Sequence, residues 1–436
     1  MIEAVSAHLR AVSWRGLGEA ARDKLLLCLL ANLSVAVAGR SAMRMPRPPQ
    51  GDGHLLLDGG HTADPREAAF YNGALMHART QDDFHPIGNL HIATVVLPAL
   101  IAQAERSDCS GEAFLDALAT GYAASTGFSR RFSPLTTPRG LRSTSLYASL
   151  GAAASVARLR GHDDSAMANT ISLSTQSAFG TTQCWRDGSD EYQLHAGQGA
   201  AQALRCADWT EAGVVGGRGA LNGPSGFYPA LVGDTPDFEV LRNDFDADAA
   251  IVETVLKRYP VSGICQPVVR LAERLAHRLE GREVESVVLQ MNAFEMNYPG
   301  TLNAGPVFRS FSDRLMSARL CVASVLEAGR FDFAAFQGPL SPQVSRLVAS
   351  TRVEPGEDLG TLSCRLSLHL EGGSRLTGEL RDGGRKLAID WESIGPWSRD
   401  LWAEGGRGEE AARRAEAAVR SLPVSGFEDL RRSLST

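Results

Sequence analysis

The sequence predicts a mainly α protein: a large all-helical domain contributed by both ends of the chain, with a smaller α+β domain inserted between them. Three observations predict this. Apolar residues recur at three- and four-residue steps through most of the first 264 residues. Alternating and β-branched patterns are confined to the region between 282 and 383. A helical pattern then returns in EEAARRAEAAVRSLP, close to the end. A chain of 436 residues has ample length for such a division and for well-buried cores.

Taken in order, the first strong element is LLLCLLANLSVAVAG, residues 25–39. An apolar run near an N-terminus can be the hydrophobic part of a signal peptide, but Glu3, Glu19 and Asp23 stand where a signal carries positive charge. The run is also short for a bilayer span, so a core helix is expected. HIATVVLPALIAQAER, GEAFLDALATGYAAST, STSLYASLGAAASVARLRG and DDSAMANTISLSTQSAFG follow, each with helical recurrence. Several end on glycine, as helix C-termini do. Small residues such as Ala148, Gly151, Ala152 and Ala153 allow close helix packing. The Pro/Gly-rich stretches at 46–53 and 216–226 read as loops. After Pro260, LAERLAHRLEG (271–281) is an amphipathic helix and REVESVVLQMN (282–292) a strand; another long helix occupies roughly 310–329. SCRLSLHLEGGSRLTGELRDG (363–383) alternates on both sides of Gly372-Gly373, a hairpin signal. The domain boundaries predicted are therefore 1–264 with 398–436 for the helical domain and 265–397 for the insert.

Composition removes several function classes. The net charge of −6 and the absence of a basic block argue against nucleic-acid binding. The seven cysteines are odd in number and scattered, with no CxxC pair, so reduced thiols and a cytoplasmic setting are expected, with no membrane association.

One stretch concentrates titratable chemistry: HARTQDDFHPIGNLH, residues 77–91. Asp82, Asp83, His85 and His91 could be read as metal ligands, but Pro86 interrupts any helix between the two histidines, and no ligand spacing results. No metal is expected. The aspartates could equally cap helices or satisfy loop amides.

These stretches resemble the MmgE/PrpD family, which includes 2-methylcitrate dehydratase, cis-aconitate decarboxylase and iminodisuccinate epimerase. YNGALMHARTQDDFHP (71–86), HIATVVLPALIAQAE (91–105), EYQLHAGQGAAQA (191–203), LNGPSGFYPALVG (221–233) and LKRYPVSGICQP (256–267) fall in the family's order and spacing. The resemblance implies a homodimer of two-domain subunits, with an active site between a helical body and an α+β lid. It implies no cofactor, and a small carboxylate as substrate; it also implies a buried, hydrogen-bonded packing histidine at His77 and a structural one, inside a packed turn, at His195. Such reactions take a proton from, or lose a group beside, a carbon activated by carboxylates, which calls for a tuned base and for donors that hold the anion.

Carried over by position, the family's site falls on Thr80, Phe84, His91, Arg142, Tyr192 and Gln266, and only His91 keeps the family's residue. The expectation that follows is His91 as base, Tyr192 as acid or second base, and Arg142 as a bidentate carboxylate clamp. Asp82 or Asp83 would orient His91 or His85. Thr80, Phe84, Gln266 and Lys257 would line the substrate site, with Phe84 favouring a guest of more apolar body. Arg142 could instead lie at the surface or at a dimer interface, and Arg79 and Lys257 could be solvated charges. The function implied is a cofactor-independent lyase or isomerase: a dehydratase, decarboxylase or epimerase of specialised metabolism. The alternative is a catalytically silent family member that binds a ligand or partner.

Overall fold

The computed structural model describes residues 1–305 and 307–435. Helix takes 57% of the residues and strand 9%, so the protein is mainly α with small sheets. The chain forms two compact units. One comprises Met1–Thr181, Glu191–Leu256 and Ile389–Thr436; the other, Thr182–Asp190 and Lys257–Ala388.

In the first unit the central element is helix α1 (Glu19–Ala38), buried without interruption from Leu25 to Ala38. A helix apolar on every side has no solvent face to offer, so it takes the middle of the core. The helix extended to Ser41 is long and apolar enough to cross a membrane, but 83% of its apolar window is buried inside the chain. Its polar Ser34 is satisfied by its own Leu30 carbonyl and by Ser398 Oγ, 2.8 Å away on the helix Trp391–Glu404; Trp402 Nε1 donates to the same Ser34 hydroxyl. A helix from the last fifty residues thus docks on the first long one. A minor ribbon pairs β1 (His54–Leu55) with β2 (His61–Thr62).

Around α1 lie α2 (Pro65–His77), α3 (Ala93–Ala104), α4 (Gly111–Ser129), α5 (Ser149–Leu159) and α6 (Glu191–Glu211). Asp64 and Ser110 accept amide hydrogens at the starts of α2 and α4, which fixes where those helices begin. Glycines set the closest contacts. A Cβ on Gly197 of α6 would sit 2.4 Å from the Phe70 carbonyl of α2, and one on Gly73 would sit 3.0 Å from the Gly197 Cα. Only glycine at both positions lets α2 and α6 approach this closely. That contact brings the C-terminal end of α2 beside the N-terminal end of α6.

In the second unit four strands pair in the order β4-β3-β5-β6, with β3 at Val284–Met291, β4 at Thr351–Pro355, β5 at Cys364–Leu370 and β6 at Arg375–Leu380. The strand and hairpin read from sequence are β3 and β5–β6; Gly372 and Gly373 turn the hairpin with φ of +80° and +81°. Short β4, parallel to β3, carried too little alternation to be anticipated. The single helix expected over 310–329 is two, Phe311–Met316 and Ala318–Ala328. The break falls at Ser317, extended at ψ 106°, whose hydroxyl caps the Leu320 amide.

Candidate active site

The titratable stretch leaves α2 at His77 and reverses at Thr80, whose φ of +49° lies in the left-handed region. A β-branched residue seldom adopts that conformation, since its Cβ crowds the backbone there. Beyond the turn, Asp83 N–H donates to Asn32 Oδ1 at 3.0 Å, and Phe84 pairs with Val255 through two main-chain bonds. His85 and Leu90 exchange main-chain bonds across the Pro86 turn. His91 then lies just before α3, its own N–H held by Thr144 Oγ1 at 3.1 Å. Thr144 opens a π-helical turn, Thr144–Ala148, two residues after Arg142. Wide turns of this kind occur often where a helix is adapted to a site.

Four side chains form a chain of contacts. His77 Nδ1 lies 3.0 Å from Asp82 Oδ1, and His91 Nδ1 lies 2.9 Å from Asp82 Oδ2. The Asp83 carbonyl is also 2.9 Å from His91 Nδ1. On the far side of His77, Arg142 Nη2 donates to Nε2. Arg142 Nη1 donates to the Tyr192 carbonyl at 2.9 Å and to His195 Nδ1 at 3.0 Å. The rings of His77 and His91 stand 4.7 Å apart.

Proton accounting fixes the tautomers. A guanidinium only donates, so His77 Nε2 must be a bare acceptor and its proton must sit on Nδ1, facing Asp82. His91 Nδ1 faces a carboxylate and a carbonyl, both acceptors, so it too carries the proton. That makes Nε2 the basic nitrogen of the His91 ring, on a side chain 17% exposed. Burial, opposed by Asp82 and reinforced by Arg142, pushes the His77 imidazole down to about 3; burial and Arg142 do the same to His195. Both are neutral near pH 7.

His77, Asp82 and His91 offer ligand atoms within 4.8 Å of one another, which is close enough to hold a metal ion. The donor set does not fit one well. A metal at His77 Nδ1 would need the proton on Nε2, where Arg142 already donates. Hydrogen bonds join Arg142 to His77 and His77 to Asp82, and His91 adjoins them with Nδ1 2.9 Å from Asp82 Oδ2.

The other expected residues are placed as follows. Asp83 is buried and structural in its contacts: Oδ1 accepts the Ala93 amide at the start of α3, and Oδ2 accepts the Tyr122 hydroxyl. Of the two adjacent aspartates, Asp82 is therefore the one turned to His91. His85 stands apart from this group; its Nδ1 accepts the Gly88 amide, and its Nε2 lies 3.3 Å from Glu253, which also pairs with Arg130. Burial holds the His85 pKa down, and the contact with His85 holds Glu253 down. Phe84 packs its ring 5.7 Å from that of His91. Thr80 is 3% exposed, and its hydroxyl has no hydrogen-bond partner among the described residues.

Tyr192 is fully buried, its hydroxyl donating to the Ala78 carbonyl at 2.8 Å and accepting from Gln193. Arg142 is 3% exposed, which removes the surface reading. The reading of Arg79 and Lys257 as solvated charges is also corrected: each is 1% exposed, and Arg79 pairs with Glu404. Gln266 and Lys257 belong to the second unit, where the Gln266 amide donates to the carbonyls of Tyr259 and Val261 and accepts the Tyr259 amide. The sequence reading took His77 as a buried, hydrogen-bonded packing residue, which it is, but gave it no part in the site. The only available signal was its distance of five residues from Asp82, which means nothing until the turn at Thr80 is known. Tyr122 and Asn32, which hold Asp83, gave no signal because they lie on other helices.

The helical unit, with a histidine at a helix start beside an acid-rich turn, lies within the stretch that matches a known family, and the chain belongs to that family, MmgE/PrpD. Residues 4–239 match the MmgE/PrpD N-terminal domain. Over 140 residues the chain is 31% identical to the cis-aconitate decarboxylase-like protein oryM of Aspergillus oryzae, a match that covers 30% of this chain and 29% of that protein.

Proposed function

We propose that the protein is a cofactor-independent lyase or isomerase acting at the activated carbon of a small carboxylate, with His91 Nε2 as the base. The observation that carries this reading is the placement of His91 Nδ1 against Asp82 and the Asp83 carbonyl, which leaves Nε2 as the one proton acceptor of the ring. A carboxylate behind an imidazole steadies the tautomer and stabilises the imidazolium formed when the proton arrives. The family, and the resemblance to a protein named as cis-aconitate decarboxylase-like, support the choice of a carboxylate. Phe84 beside His91 favours a guest with some apolar body, and the unpartnered Thr80 hydroxyl is available to bind its polar part.

A second reading, a silent ligand binder, is favoured by Tyr192: its hydroxyl is committed to the Ala78 carbonyl and is poorly placed to act as acid. One experiment separates the two. Di- and tricarboxylic acids, cis-aconitate among them, are incubated with the protein in deuterated water and followed by proton NMR. Protein-dependent loss of the signal from the hydrogen next to a carboxylate, or appearance of product, supports the enzyme; binding with neither supports the binder.

A further inference from the structure

We propose that His77 is a positioning residue: locked by Arg142 into the Nδ1–H tautomer, it holds the Asp82 carboxylate in place and limits how strongly that carboxylate raises the proton affinity of His91. The inference rests on the reading of His91 as base and adds a function for Arg142 other than contact with substrate.

The geometry is a line of donors and acceptors. Arg142 Nη2 donates to His77 Nε2, His77 Nδ1–H donates to Asp82 Oδ1, and His91 Nδ1, which donates to the Asp83 carbonyl, lies 2.9 Å from Asp82 Oδ2 as a close charge contact. One carboxylate thus lies against two imidazoles, hydrogen-bonded to the first and in charge contact with the second. A carboxylate whose charge is drawn toward one donor is a weaker partner for the other. His77 is fully buried and kept neutral, so it contributes a hydrogen bond without adding a charge of its own. Arg142 is held in turn by His195 and the Tyr192 carbonyl, both at the N-terminal end of α6. The close approach of α2 and α6 at Gly73 and Gly197 is what brings His77 within reach of it.

Several titratable and charged groups lie around His91. Asp82 and His77 face it directly, and Tyr192 stacks its edge on His77 with ring centres 5.6 Å apart. Arg142 and His195 lie one step behind His77. The Asp83 carboxylate is turned away onto Tyr122 and the Ala93 amide, leaving only its carbonyl on His91. Asp82 is therefore the nearest anion, and what happens to Asp82 reaches His91.

The test has two parts. In the wild-type chain carrying isotope-labelled histidine, solid-state NMR reads the ring-nitrogen protonation of His77 and His91, assigned with single-histidine variants. The expected result is His77 neutral with the proton on Nδ1 from pH 5 to pH 9; a proton on His77 Nε2 overturns the proposal. In His77→Leu and His77→Phe, neither of which can donate to Asp82 or alters the charge nearby, the pH at which His91 takes up its proton is expected to rise by about one unit, since less of the Asp82 charge is drawn away from it. A merely structural role would leave that pH unmoved in folded variants, and an unmoved value overturns the proposal. If neither variant folds, the wild-type tautomer decides. Because both readouts are spectroscopic, they stand whether or not His91 proves to be the catalytic base. That point is settled separately by His91 substitution.

Discussion

His91 meets Asp82 at 2.9 Å, Nδ1 to Oδ2, and through that one carboxylate it is joined to His77 and Arg142. Two helix starts remote in sequence are thereby wired into one network, although the arginine reaches the histidine through intermediaries.

The two adjacent aspartates should separate cleanly. Asp82→Asn presents an amide N–H to an imidazole N–H, favours the wrong tautomer of one histidine, and should lower turnover by roughly 100- to 10,000-fold with little loss of fold. Asp83→Asn weakens the bonds to Tyr122 and the Ala93 amide and should destabilise by about 1–3 kcal/mol, leaving turnover in the surviving folded fraction near the parental rate. Urea denaturation with initial rates distinguishes them; the reverse pattern would mean that the roles are exchanged.

Stability should fall on mild acidification. An unfolded imidazole binds its proton near 6.5, whereas folded His77 and His195 do so only near 3. Between those values the unfolded chain binds more protons. The contribution of these neutral histidines is therefore complete above about pH 6.5 and is lost progressively as pH falls toward 3, by about 1.4 kcal/mol per pH unit for each histidine. Chemical denaturation from pH 7.5 to pH 5 measures it. A flat profile below pH 6.5 would mean that these rings are charged in the fold.

Much of the architecture was readable in the sequence because period, caps and glycine stops are local signals. The helices around Leu25–Ala38 and Ala93–Ala104 and the hairpin at Gly372-Gly373 are all found. What was not readable depends on single torsions and distant partners. The break at Ser317 comes from one serine capping the next helix, and the separation of Asp82 from Asp83 comes from which way a turn at Thr80 aims them. The His77–Arg142 bond spans 65 residues, and no local pattern encodes it.

Gly197→Ala tests the helix contact behind the network. Its Cβ would fall 2.4 Å from a backbone carbonyl, which cannot swing aside as a side chain could. A loss of about 1–3 kcal/mol is expected, with a further drop in turnover as α2 and α6 are pushed apart. Unchanged stability and rate would show that the contact is not required.

Thr80→Gly should behave in the opposite way. It relieves a left-handed β-branched residue, worth about 1–2 kcal/mol, against an entropic cost of about 0.5–1 kcal/mol for glycine. Stability should stay within about 1 kcal/mol of wild type or rise, while substrate affinity falls about tenfold with the lost hydroxyl. A destabilisation above about 2 kcal/mol would instead give Thr80 a structural role.

The most direct measurement is hydrogen exchange into a substrate carboxylic acid in deuterated water, comparing the parental protein with His91→Gln under identical conditions. A fall in the exchange rate of at least 100-fold, with the fold and ligand binding retained, is the predicted result. Exchange at the parental rate in His91→Gln would contradict the assignment of His91 as the base.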